Sequence, residues 1–133
     1  MSTLNVANIQ SLSTSTLPVV KNSAGTEVGR YVRAFVRFNG AGTPSINSSF
    51  NVSSITDHGQ GDFSIVFQNA FSDANYTFTV GHSGDVNTGF NPHMHAYWTN
   101  RVAPTTSAIR MKCYHPMNSA HKTDGSRLCV AIF

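Results

Sequence analysis

RAFVRFNGAGTPSINSSFNVSSITDHGQGDFSIVFQNAFSDANYTFTV, the run from Arg33 to Val80, is written in a period of two with turn residues between its phrases. Val32, Ala34, Val36 and Phe38 alternate with Arg33, Phe35 and Arg37, and successive side chains of a strand point to opposite faces. Asn39-Gly40-Ala41-Gly42 breaks that run with residues that tolerate positive φ. Val52 to Ile55 then lead into Asp57-His58-Gly59-Gln60-Gly61, after which Phe63, Ile65 and Phe67 resume the alternation. The reading is strand after strand, each closed by a turn.

Extended to the rest of the chain, the same pattern predicts strands over 31–39, 45–50, 52–56, 63–68, 76–82, 93–99, 108–114 and 128–133. No segment repeats apolar residues at i, i+3, i+4 and i+7 for three turns, so little helix is expected. Short strands at this spacing predict an all-β fold, an antiparallel, jelly-roll-like β-sandwich over 31–133. Its core should include Val36, Phe38, Ile65, Phe67, Phe78, Val80, Val130 and Ile132. Two connections, 81–92 and 115–125, exceed hairpin length, and long loops on a rigid scaffold are where binding residues gather. Residues 1–30 differ. Leu4, Val6 and Ile9 form a short strand-like pattern before a Ser/Thr-rich stretch, with too little apolar area to fold alone. An extended N-terminal segment that orders against other chains is expected there, with those three residues as its anchoring and oligomerising positions.

Composition narrows the function. The chain has 133 residues, enough for one domain, but only 11% are charged, less than half the usual share. Ser, Thr and Asn supply the polarity instead, while nine Phe and four Tyr argue against disorder. Nine Lys and Arg against six acids leave +3, scattered rather than clustered, so no nucleic-acid partner is expected. No apolar stretch approaches membrane-spanning length, and the start of the sequence has no secretory pattern. Cys113 and Cys129 suit neither a metal cluster nor a disulfide framework and read as small apolar strand residues. They could pair only if their strands were neighbours.

The wording of the central run is similar to a known module. AFVRFNGAGT, then FNVSSITDHGQGD, then DANY resemble, in that order, a small module of tail-fibre and related appendage proteins of tailed bacteriophages, marine and cyanobacterial ones in particular. The resemblance covers about residues 31–80, and Leu128 to Phe133 look like the module's last strand. It implies a virion protein assembled in the host cytoplasm, homotrimeric, contacting other virion proteins through its leader and a host cell-surface glycan through its loops.

Asn91-Pro92-His93-Met94-His95-Ala96-Tyr97-Trp98 is the densest functional-looking run. Two imidazoles at i and i+2 on a strand can ligate one metal ion, and some phage fibres hold iron between such pairs on a three-fold axis. His93 and His95 are therefore the metal candidates, against the plainer reading of two histidines on a polar face. No other cofactor is implied. Tyr97, Arg101 and His115 beside the long loops are the candidate surface contacts. Asp57, Asp62, Asp73 and Asp124 read as turn residues that hydrogen-bond the backbone, not as the paired carboxylates of a glycosidase. With no convergent acid, base and nucleophile, the expectation is a non-enzymatic tail fibre or tail appendage. The alternatives are a capsid decoration (cement) protein and a glycan-binding module.

Overall fold

The structure is a computed structural model that describes residues 8–10, 18–29, 31–82, 93–95, 102–115, 118–122 and 124–133. It contains two units, Met1–Tyr31 and Val32–Phe133. In the first, strands β1 (Val20–Lys21) and β2 (Glu27–Gly29) form a small antiparallel hairpin. Asn22 makes its turn: the side-chain Oδ1 accepts from the backbone N–H of Ala24 and of Thr26, both at 3.0 Å. This hairpin is absent from the sequence reading because its signal is one Asx side chain and not a periodic run. Ile9, Val19, Val20 and Val28 are all exposed.

The second unit holds β3 (Ala34–Asn39), β4 (Ser45–Phe50), β5 (Val52–Asp57), β6 (Asp62–Phe67), β7 (Phe78–His82), β8 (His93–His95), β9 (Ala108–His115), β10 (Asn118–Lys122) and β11 (Leu128–Ile132). One sheet runs β4-β3-β11-β7, the other β10-β9-β6-β5 with β8 also on β9. Every pairing is antiparallel, and the described residues include no helix. The expected antiparallel all-β sandwich is what forms. Consecutive strands pair as hairpins (β3 with β4, β5 with β6, β9 with β10), so the likeness to a jelly roll lies in the two facing antiparallel sheets. One expectation is corrected: the stretch 115–125 is not a plain loop, since its residues Asn118–Lys122 form β10, antiparallel to β9.

The core lies between the sheets. Val36 and Phe38 of β3, Ile65 and Phe67 of β6, and Val130 and Ile132 of β11 are buried as the alternation requires, while Phe78 and Val80 of β7 are half-buried against them. Phe38 and Phe63 meet edge to face across the sandwich, ring centroids 5.4 Å apart, the arrangement the ring quadrupole favours. Gly40 is needed beside them, because a Cβ there would lie 2.7 Å from Cζ of Phe63. Phe67, Phe71 and Tyr76 close one end with centroids 4.5 to 5.8 Å apart. The Tyr76 hydroxyl donates to the carbonyl of Thr105 at 3.0 Å, and burial pushes its pKa up to about 12.

The chain passes from the first sheet to the second through one residue, Asn51. Its φ is +54°, a left-handed conformation that asparagine tolerates better than most residues. The side-chain Nδ2 donates to the carbonyls of Arg33 and Asn69, both at 3.2 Å. Its Oδ1 accepts from the backbone N–H of Asn69 at 2.8 Å and the Asn69 amide at 3.1 Å. Arg33 in turn lays its guanidinium over the Phe71 ring, 4.2 Å from the centroid. Asn51→Gly keeps the backbone conformation and loses the side-chain bonds; Asn51→Ala loses both. Urea unfolding should find the glycine variant about 1–2 kcal/mol less stable than the parent and the alanine variant about 1 kcal/mol worse again. Equal losses would show that the left-handed corner is not the constraint.

Candidate functional site

On β9 the side chains of Ile109, Met111 and Cys113 enter the core, so Arg110 and Lys112 lie on the opposite face of the sheet. The register sets Asp62 of β6 against Lys112 and Ser64 against Arg110. Asp62 is 2% exposed and Lys112 7%. Arg110 grips the Asp62 carboxylate with a two-pronged contact, Nε to Oδ1 at 2.8 Å and Nη2 to Oδ2 at 3.1 Å, and Lys112 Nζ lies 3.4 Å from Oδ2. Burial by itself raises the Asp62 pKa; the hydrogen bond and charge of Arg110, joined by Lys112, outweigh it and hold the carboxyl below its ordinary value. One acid thus serves two cations.

The turn before β6 is locked around this cluster. Asp57 Oδ1 accepts from Gly59 N–H at 2.8 Å, Asp124 Oδ1 accepts from Gly61 N–H at 2.7 Å, and Cys113 N–H donates to Gly61 carbonyl at 2.8 Å. His58 Nε2 lies 2.8 Å from Ser64 Oγ on the exposed side. Burial, with the Asp124 charge adding to it, pushes the Cys113 thiol up to about 11. Asp57 and Asp73 each accept from a backbone N–H two residues on, the turn role their sequence context suggests, whereas Asp124 accepts from the distant Gly61. Asp62 is different, and sequence reasoning missed it. The available signal was Arg110 and Lys112 two apart on a predicted strand, which puts two cations on one face.

The outer face of the first sheet has another character. Phe35 and Phe50, register partners on β3 and β4, are stacked with centroids 6.3 Å apart and planes 29° apart, yet they remain 39% and 51% exposed. Arg37 and Ser48 form the next pair, with Cys129 of β11 on the other side of Arg37. Cys113 and Cys129 therefore stand in different sheets, one in the core and one on the outer face, and cannot bridge.

Of the residues singled out from sequence, His93 and His95 lie in β8, in register with Tyr114 and Lys112 of β9. Among the described residues no group of three His, Cys, Asp or Glu could hold a metal ion. His115 ends β9. Ile9 is exposed; Leu4, Val6, Tyr97 and Arg101 lie outside the described residues, as does most of the 81–92 connection. No known family model matches the chain, and neither a curated protein nor a solved structure does.

The ion cluster makes stability depend on acid. A carboxyl with a depressed folded pKa contributes stability above its unfolded pKa, about 3.9, and loses it as pH falls through the folded value. Urea midpoints should therefore drop below about pH 4. Asp62→Asn should cost about 3 kcal/mol at neutral pH, because it leaves Lys112 and Arg110 without their counter-charge, and should flatten the acid dependence.

Proposed function

We propose that this chain is a non-enzymatic structural protein of a tailed-phage virion, a short tail fibre or tail appendage. The observation that carries the reading is where the module's words fall. FNVSSITDHGQGD spans the Asn51 corner and the Asp57–Gly61 turn, and FNG supplies the close approach at Gly40. The resemblance thus rests on residues that this sandwich needs in order to close, which is how a shared scaffold is expected to look.

The mechanism is adhesive and mechanical. The leader, with Leu4, Val6 and Ile9, attaches the protein to a particle, and three copies assemble into the working unit. The sandwich carries the segments 81–92 and 115–125, with Tyr97, Arg101 and His115, toward a host glycan or a neighbouring virion protein. A charge-poor, hydroxyl-rich surface suits such polar contacts.

Deleting residues 1–30 should leave a folded protein that no longer enters particles, measured by circular dichroism and by particle composition. Normal incorporation would remove the anchoring role. Tyr97→Ala with Arg101→Ala should lower adsorption to cells with the melting temperature unchanged; unchanged adsorption would remove the recognition role. A copy number in the hundreds per particle would place the protein on the capsid as a decoration protein.

A further inference from the structure

Asn39-Gly40 is the only Asn-Gly pair in the chain. This dipeptide is the one most prone to spontaneous deamidation, because a glycine after the asparagine leaves the attacking backbone nitrogen unhindered by a Cβ. In that reaction the Gly40 nitrogen gives up its proton and bonds to Cγ of Asn39, the Cγ–Nδ2 bond breaks, and ammonia leaves. Water then opens the resulting succinimide ring at either carbonyl, giving aspartate or isoaspartate. Water is the only co-reactant.

Packing keeps this labile pair in the chain. A Cβ on Gly40 would lie 2.7 Å from Cζ of Phe63 and 3.1 Å from Cδ1 of Leu128, so a larger residue does not fit against these two core side chains. Asn39 makes the turn that follows β3, its Oδ1 accepting from Ala41 N–H at 3.0 Å. The same packing holds the atoms that the reaction must move. Gly40 is buried, and its N–H, the proton to be lost, donates to the Gly125 carbonyl at 2.8 Å. The Asn39 backbone is the last rung of β3, in register with Ser45 of β4. Gly125 is buried as well, and the carboxylate of its neighbour Asp124 accepts from Gly61 N–H at 2.7 Å. The turns after β3, before β6 and before β11 thus close over one peptide bond.

We infer that Asn39 is a modification site shut by the folded sandwich and opened by its unfolding, so that deamidation records the time the chain has spent open. A proton engaged in a short, buried hydrogen bond is harder to remove, and a backbone held in a ladder cannot swing its nitrogen toward Cγ. The reaction therefore runs from opened molecules, at a rate scaled down by their fraction. The two products differ in consequence. Aspartate preserves the chain length and an acceptor oxygen for Ala41 N–H. Isoaspartate carries the chain through its side-chain methylene, which lengthens the backbone by a carbon and displaces Gly40 from its place against Phe63, Leu128 and Gly125. Modification through isoaspartate makes unfolding irreversible. The inference is independent of the virion reading.

The test incubates the full chain in alkaline buffer with and without denaturing urea, and peptide mapping by chromatography and mass spectrometry follows asparagine, aspartate and isoaspartate at position 39. Conversion should be about tenfold or more slower in the folded protein. After urea is removed, protein carrying isoaspartate at position 39 should melt below the parent, whereas Asn39→Asp, which reproduces the aspartate product, should melt close to it. A folded protein that deamidates as fast as the unfolded one, or an Asn39 that stays intact in urea, overturns the protected site. Isoaspartate-bearing protein that melts like the parent overturns the irreversible step. An Asn39→Asp variant destabilised as far as the isoaspartate form assigns the damage to charge and overturns the argument from backbone length.

Discussion

The amide of Asn51 holds the two sheets together where the chain crosses between them. Its four side-chain hydrogen bonds reach Arg33 at the entry to β3 and Asn69 beyond the end of β6, segments that belong to opposite layers. With β4 and β5 fixed at that corner, β3 aligns over β6, and Phe38 meets Phe63 in the middle of the core. Net hydrogen-bond energies are modest, about 1 kcal/mol each. Their effect here is geometric: they allow one turn conformation, and the packing follows from it.

Charge is sparse in this chain, and the structure gathers much of its consequence at one place. Asp62, Arg110 and Lys112 clamp β6 to β9 on the face away from the core. Asp124 draws the segment before β11 to the turn before β6. A buried ion cluster contributes little net stability compared with apolar packing, but it penalises any register that separates its members. In a sheet whose exposed residues are largely Ser and Thr, that penalty is a source of register specificity, since neutral polar faces specify register weakly.

The two faces of the sandwich consequently offer different chemistry. The second sheet places cations and His58 around a satisfied acid, while the first presents stacked aromatic rings beside an uncharged terminal strand. Rings and hydroxyls of the second kind meet polar, uncharged partners without a large desolvation cost.

Alternation in the chain fixes the strands of the central run. Alternation along 34–38 and 63–67 assigned inward and outward residues correctly, because side-chain direction in a strand is a local property of the backbone. Turn chemistry did the same for Asp57 and Asp73, whose partners lie two residues on in the chain. Tertiary structure alone decided which strands lie side by side. Asp62's partner Arg110 is 48 residues away, the separation of Cys113 and Cys129 follows from their membership of separate sheets, and β10 pairs with the edge that β9 offers it. The left-handed state of Asn51 also belongs to the tertiary level. Asparagine permits that conformation, but only carbonyls and amides brought in from 18 residues away on either side select it.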